Sequence, residues 1–301
     1  MNLISIFDLT QSDLAWIIER GEELKRARKT LKTGTELAGK TLALIFEKPS
    51  TRTRVSFEVA MHELGGNVIS LNWNELQLGR GERVRDTAKV LSSYVDAVMI
   101  RAYQHDTVVE FANAASIPVI NGLTNFEHPC QTLADLMTIK EYKNRFAGIT
   151  VAWIGDGNNV CNSLIGGAAL TGMHMRVGCP LGYAPAAAVL EEAKRMGCEV
   201  LITDDAEQAV ADADVLYTDV WVSMGDEQER ERRERDLSAY QLNEEMVRRA
   251  KEDAIIMHCM PVHVGEEITE AVLTSKNSVI FEQAENRLHA QKALLLRLFR
   301  D

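Results

Sequence analysis

The sequence predicts an α/β protein of two open parallel sheets, and three observations lead there. Short apolar runs of strand length alternate with longer segments of helical period from residue 41 onward. The alternation restarts near residue 149, after a long helical stretch. The chain has 301 residues, enough for two domains with sizeable cores. Strands alternating with helices indicate parallel sheets with both faces covered.

In chain order, Leu9 to about Arg28 reads as an amphipathic helix, with Leu14, Ile17, Ile18 and Leu24 near one face and Thr10 or Ser12 as cap. Thr41–Phe46 is a buried strand, followed by a helix through Val55, Val59 and Leu64 that stops at Gly65-Gly66. Asn67–Leu71 is the second strand, and Gln77–Glu82 a glycine-punctuated loop before a helix at Val84–Tyr94. Asp96–Arg101 and Pro118–Ile120 are strands, with a helix near Thr107–Ala115 between them. His128-Pro129-Cys130-Gln131 opens the next helix, Pro129 taking the first helical position that suits proline. The domain boundary falls in or after that helix, near residue 140.

The second half expects strands at Ile149–Ile154, Met175–Gly178, Glu199–Ile202, Val215–Thr218, Ala254–Met257 and Val279–Phe281. Helices are expected from the Gly155–Asn159 loop to about Leu170, and at Pro185–Met196, Glu207–Ala211, Tyr240–Lys251 and Ala284 to about Phe299.

Bulk properties exclude several functions. A net charge of −11 argues against nucleic acid as main partner, since phosphate backbones require a basic surface. It leaves room for a local basic pocket. The first residues lack the basic start of a signal peptide, and no apolar run has membrane-spanning length. Five cysteines, at 130, 161, 179, 198 and 259, form no CxxC and suit a reducing, cytoplasmic setting.

Polar groups recur at the carboxyl ends of the expected strands, where open α/β sheets bind ligands. They are Ser50–Arg54, Arg101, His128–Gln131, Asp156–Asn159, Asp219 and His258–Pro261. Ser50-Thr51-Arg52-Thr53-Arg54 stands where a strand becomes a helix, with hydroxyls, guanidiniums and unpaired backbone N–H groups suited to a phosphate. The first-half groups are cationic and donor-rich. Those of the second half, Asn159, Asp219 and Ser223, suit a ligand bearing an ammonium and a carboxylate. An anion on one side of a cleft and an amino acid on the other is a transferase arrangement.

Plainer readings stand beside these. Arg101 alone would be a structural ion pair, and His128 a helix cap. Gly155-x-Gly157 resembles a dinucleotide fingerprint but has Val160 at the third glycine position. His258, Cys259 and His263 have metal-ligand chemistry without a fourth ligand. The mixed charge run Asp226–Asp236 reads as solvated and mobile, with a lid as its functional alternative.

Ser50-Thr-Arg-Thr-Arg54, His128-Pro-Cys-Gln131, Asp219-Val-Trp-Val-Ser-Met-Gly225 and His258-Cys-Met-Pro261 together resemble ornithine carbamoyltransferases over essentially the whole chain, through Asn286-Arg287-Leu288-His289. The Ser-Met-Gly loop, and Cys259 where a proline would otherwise stand, resemble the ornithine-using rather than the aspartate-using members. Met260 takes a position where leucine is usual.

The resemblance implies two domains, 1–140 plus a returning C-terminal helix at 285–301 for carbamoyl phosphate and 141–284 for ornithine, with the active site in the cleft between them. Ser50, Thr51, Arg52 and Thr53 would bind the phosphate. Arg101, His128, Gln131 and Arg287 would hold the carbamoyl end, with Pro129 and Cys130 in the same turn. Gln77 would enter a neighbouring subunit's site, which implies a homotrimer or an assembly of trimers. Asn159, Asp219, Ser223, Met224, Cys259 and Met260 would contact L-ornithine. Arg52, Arg101, His128, Asp219 and Cys259 would carry the chemistry, with no metal or organic cofactor.

Overall fold

A computed structural model describes residues 1–28, 34–222 and 227–300. The elements follow the hydrophobic pattern closely. Thr10 caps the first helix, α1 (Gln11–Arg28): its hydroxyl accepts from Asp13 N–H at 3.1 Å while Asp13 reaches back to the Thr10 N–H at 3.2 Å. Strand β1 (Thr41–Phe46) has four consecutive buried positions and leads into α2 (Thr51–Glu63). Then come β2 (Asn67–Asn72), α3 (Val84–Leu91), β3 (Ala97–Arg101), α4 (His105–Ala114), β4 (Val119–Leu123) and α5 (Pro129–Lys143).

The second series runs β5 (Thr150–Ile154), α6 (Asn159–Thr171), β6 (His174–Gly178), α7 (Ala187–Arg195), β7 (Val200–Thr203), α8 (Ala206–Val210) and β8 (Val215–Thr218). It continues with α9 (Arg230–Leu237), α10 (Glu244–Arg249), β9 (Ile255–His258), α11 (Glu270–Leu273) and α12 (Ile280–Leu298).

Two parallel sheets result, ordered β2-β1-β3-β4 and β7-β6-β5-β8-β9. Their central strands are mostly apolar because helices cover both faces; β5 and β8, and the edge strand β9, are buried at every residue. The chain divides into two compact units, Met1–Met137 with Glu285–Asp301, and Thr138–Ala284. In the first, residues of β1, β3 and β4 pack with Val108 and Phe111 of α4. In the second, Ala152, Ile154, Leu216 and Ile256 pack beneath Ala209, Val210 and Met246.

The C-terminal helix returns to the first unit through part-buried polar contacts. Lys25 Nζ donates to Asn286 Oδ1 at 2.7 Å, and Lys292 Nζ meets Glu63 at 2.8 Å. Arg297 grips Asp13 Oδ1 through Nη2 at 2.6 Å and Nε at 2.9 Å. Among the described residues, no helix is long and apolar enough to cross a membrane.

Three local expectations are corrected. Val279–Phe281 is not a strand: one isolated bridge joins Ile256 to Ser278, and the Val279 carbonyl already accepts from Gln283 N–H at 2.8 Å as α12 begins. Three apolar residues fit either element, and the helical continuation decides. The helix expected from Tyr240 starts only at Glu244, because Leu242 pairs with Ile268 and Asn243 caps a new helix through Glu245 and Met246 N–H at 3.0 and 3.1 Å. The charge run contains α9, whose Arg233 is buried.

Candidate active site

The strand order of each sheet reverses once, between β1 and β3 in the first unit and between β5 and β8 in the second. At such a switch point the connections leave in opposite directions and open a crevice beyond the carboxyl ends. Ser50–Arg54 and Arg101 stand at the first of these points and Asp156–Asn159 and Asp219 at the second, while His128 follows the edge strand β4 and His258 ends the edge strand β9.

In the first unit, Ser50 caps α2, its Oγ accepting from Thr53 N–H at 3.2 Å. Thr51 starts the helix in an exposed position, Arg52 is half-buried, and Thr53 is buried. Arg54 turns outward to Glu58 at 2.9 Å, so the second guanidinium of the motif is spent on a surface pair. Arg101 ends β3 where the β3–β4 register shifts between Ile100 and Arg101, an irregularity that re-aims the side chain. Its carbonyl accepts from Glu47 N–H at 2.8 Å and ties the β1 exit loop to the β3 end.

Arg287, on α12, is buried and donates from Nη2 to Thr53 Oγ1 at 2.7 Å. His128, the residue before α5, and Gln131, in its first turn, are both buried. Burial, together with the charges of Arg287, Arg101 and Arg52, holds the His128 ring well below the usual imidazole pKa. At neutral pH it is therefore an uncharged donor among cations. Cys130 is inert, burial raising its thiol to about 12, and its Sγ lies 3.4 Å from the Asn121 carbonyl. Its contribution to a ligand is limited to backbone. Gln77 stands exposed at the start of a single 3-10 turn, Leu78–Arg80.

In the second unit, Asn158 is the cap of α6. Its Oδ1 accepts from Val160 and Cys161 N–H at 2.9 and 3.2 Å. Its Nδ2 donates to Asp219 Oδ2 at 2.7 Å, across the switch point. Asp219 follows β8; its other oxygen accepts from Val220 N–H at 2.8 Å and from the Cys259 thiol at 2.9 Å. Asn159 opens α6 half-buried.

The β9 end is held from beneath. His258 N–H donates to Gln283 Oε1 at 2.9 Å, and Gln283 Nε2 to the Tyr217 hydroxyl at 2.8 Å. The His258 Nδ1 accepts from Met260 N–H at 2.8 Å, so Nε2 carries the ring proton and donates to buried Glu267 at 3.0 Å. Glu267 Oε1 also accepts from His263 N–H at 2.7 Å, fastening the following loop. Met260 has a φ of +60°, a left-handed conformation uncommon for a side chain of its kind.

The side-chain atoms of Asp219, His258 and Cys259 lie within 4.8 Å of one another, as do those of His263, Glu266 and Glu267. The lone pair of the His258 ring is taken by Met260 N–H, which leaves that imidazole without an electron pair for a metal.

Ser223 and Met224 lie outside the described residues. Trp221, two residues before Ser223, is held by Arg233, whose Nε donates to its carbonyl at 2.5 Å and whose Nη2 pairs with Asp156. The guanidinium sits 5.2 Å from the Tyr183 ring centre, and the Tyr183 hydroxyl donates to Asp236 at 3.1 Å. Sequence reasoning held Asn158 only within the group Asp156–Asn159 and missed Glu267 and Arg233. Asn158 was within reach as an N-cap residue beside Asp156-Gly157, whereas Arg233 is one of four arginines in a charge run and carries no distinguishing mark.

Gly155-x-Gly157 serves backbone packing. A Cβ on Gly157 would meet Pro185 N at 2.4 Å and the Tyr183 carbonyl at 2.7 Å, and its N–H donates to that carbonyl at 2.8 Å.

Residues 1–141 match the family model for the carbamoyl-P binding domain of aspartate/ornithine carbamoyltransferases, and residues 147–298 that for the Asp/Orn binding domain. The chain is 53% identical over 297 residues to an ornithine carbamoyltransferase of Archaeoglobus fulgidus, covering 99% of this chain and 97% of that one. Among solved structures, an ornithine carbamoyltransferase from Pyrococcus furiosus superposes with a TM-score of 0.94 at 49% identity, over 98% of this chain and 95% of that one. One from Thermus thermophilus gives 0.91 at 41% identity, over 99% of both. The chain belongs to the aspartate/ornithine carbamoyltransferase family.

Proposed function

We propose that the protein transfers the carbamoyl group of carbamoyl phosphate to the δ-amine of L-ornithine, giving L-citrulline and phosphate. The observation that carries this reading is the full-length likeness, at half identity, to relatives named ornithine carbamoyltransferase. The donor cluster around His128 and the Asp219–Cys259 pair supply chemistry suited to the two substrates.

Carbamoyl phosphate is a dianion with a poorly electrophilic carbon. Ser50, Thr51, Arg52, Thr53 and the α2 N-terminus neutralise the phosphate as it departs. Arg101, His128, Gln131 and Arg287 hold the carbamoyl group. Donors there meet the oxygen as negative charge builds, and losing one such donor costs ~3 kcal/mol of barrier. The ornithine amine attacks in its neutral form. Its lone pair forms the new C–N bond, the C–O bond to phosphate breaks, and the amine proton leaves with the phosphate. Asp219, steadied by Asn158, accepts a hydrogen bond from the amine and orients it, with Cys259 beside it. Asn159, Ser223, Met224 and Met260 complete the acceptor site. Correct positioning can supply ~7–11 kcal/mol.

In this reading the protein is a cytoplasmic homotrimer, and Gln77 acts in a neighbour's site. The edge position of β2 and the exposed Val55 and Ile69 support a self-association face on the first unit.

The test is citrulline formation from carbamoyl phosphate and L-ornithine, run beside aspartate, putrescine and N-acetylornithine as acceptors. Turnover with ornithine alone is expected. Preference for another acceptor refutes the assignment of the second unit, and no turnover with any acceptor refutes the transferase reading.

A further inference from the structure

Gln131 is held at one end only. Its Nε2 donates to Asp135 Oδ1 at 2.8 Å, one helical turn along α5, and both side chains are buried. A carboxylate accepts and never donates, so the –NH2 end of Gln131 must face Asp135. The carbonyl end, Oε1, is thereby turned the other way. That oxygen is buried and has no hydrogen-bond partner. A buried acceptor without a donor is unfavourable in the empty protein and becomes favourable when a ligand supplies an N–H. The guanidiniums whose charges act on His128, Arg52, Arg101 and Arg287, are donors only and cannot accept from a ligand's –NH2.

We propose that Asp135 is a positioning residue that fixes the amide orientation of Gln131, so that Gln131 Oε1 accepts from the –NH2 of carbamoyl phosphate and the site selects a carbamoyl over an acetyl group. The inference rests on the reading that carbamoyl phosphate binds in the first unit. Acetyl phosphate carries the same phosphate and carbonyl with a methyl in place of –NH2. The cluster around Thr53, Arg101 and His128 treats the two alike, and Gln131 Oε1 is the atom that tells them apart.

The experiment compares wild type, Asp135→Asn and the double variant Asp135→Asn/Gln131→Glu. For each, calorimetry measures the Kd of freshly prepared carbamoyl phosphate, acetyl phosphate and inorganic phosphate. An asparagine at 135 can donate to Gln131 and let its amide turn, presenting a donor to a donor. Carbamoyl phosphate binding is then expected to weaken roughly 10- to 100-fold, with acetyl phosphate and inorganic phosphate unchanged. In the double variant the asparagine donates to one oxygen of the new carboxylate while the other accepts from the ligand, and most of the carbamoyl preference returns.

Equal weakening toward all three ligands, or no weakening at all, overturns the proposal in favour of a purely structural Asp135. If Asp135→Asn does not fold, the double variant decides: a folded double variant without carbamoyl preference overturns it. Wild type that fails to bind carbamoyl phosphate overturns the reading of the half-site and this proposal with it, whereas wild-type binding with unselective loss overturns the proposal alone.

Discussion

His289 lies fully buried on α12, with Nε2 3.5 Å from Glu285. Burial lowers its pKa to about 4; Glu285 opposes the shift, and Lys25 and Lys292 reinforce it. The unfolded chain takes up a proton at this ring near pH 6.5 while the folded chain resists until about pH 4. Its contribution is therefore fully present above 6.5 and is lost as pH falls toward 4. His128 acts in the same direction. Urea unfolding of wild type and His289→Asn across this window should show wild type losing up to about 1.4 kcal/mol more per pH unit. Parallel curves would refute the assignment. Neither burial was visible in the sequence, since His289 follows Asn286-Arg287 in a stretch that reads as polar. His128 was legible because a proline fixed the helix start beside it.

At the scale of elements, the alternation of strands and helices was readable because central parallel strands must be mostly apolar, and helices must carry a stripe. What escaped was wherever a short segment could satisfy either period, as at Val279–Phe281, or where a charged residue pays for its burial with partners distant in sequence. Arg233 is the clearest instance. It clamps α9 onto the Trp221 carbonyl, two residues before Ser223, and onto Asp156 after β5. Arg233→Met should therefore raise the KM for ornithine about tenfold or more, leaving the KM for carbamoyl phosphate unchanged. Steady-state kinetics with each substrate varied in turn distinguishes this from general destabilisation, which would lower activity without separating the two constants.

For the whole molecule, the proposed trimer makes each site a shared property of two subunits. Arg52→Ala and Gln77→Ala should each be nearly inactive. Allowed to exchange subunits at equal concentration, they should regain activity at about a quarter of the sites, those pairing an intact Arg52 with a neighbour's intact Gln77. Absence of recovery, with exchange verified by mass, would place Gln77 in its own subunit's site. The returning C-terminal helix bears on the same question of integrity. It contributes Arg287 to the first half-site and anchors to α1 through Arg297, so truncating the helix after Leu288 would remove structural support from a chemical group left intact in the chain.

Gly157 has a wider moral for reading genomes. A glycine pattern following a strand records that something must come close to the main chain; it does not record what. Here the visitor is the protein's own Tyr183–Pro185 segment, pressed to 2.4 Å of where a side chain would begin. Pattern searches keyed to diphosphate cradles will gather such impostors wherever a doubly wound sheet folds a loop across its own crest.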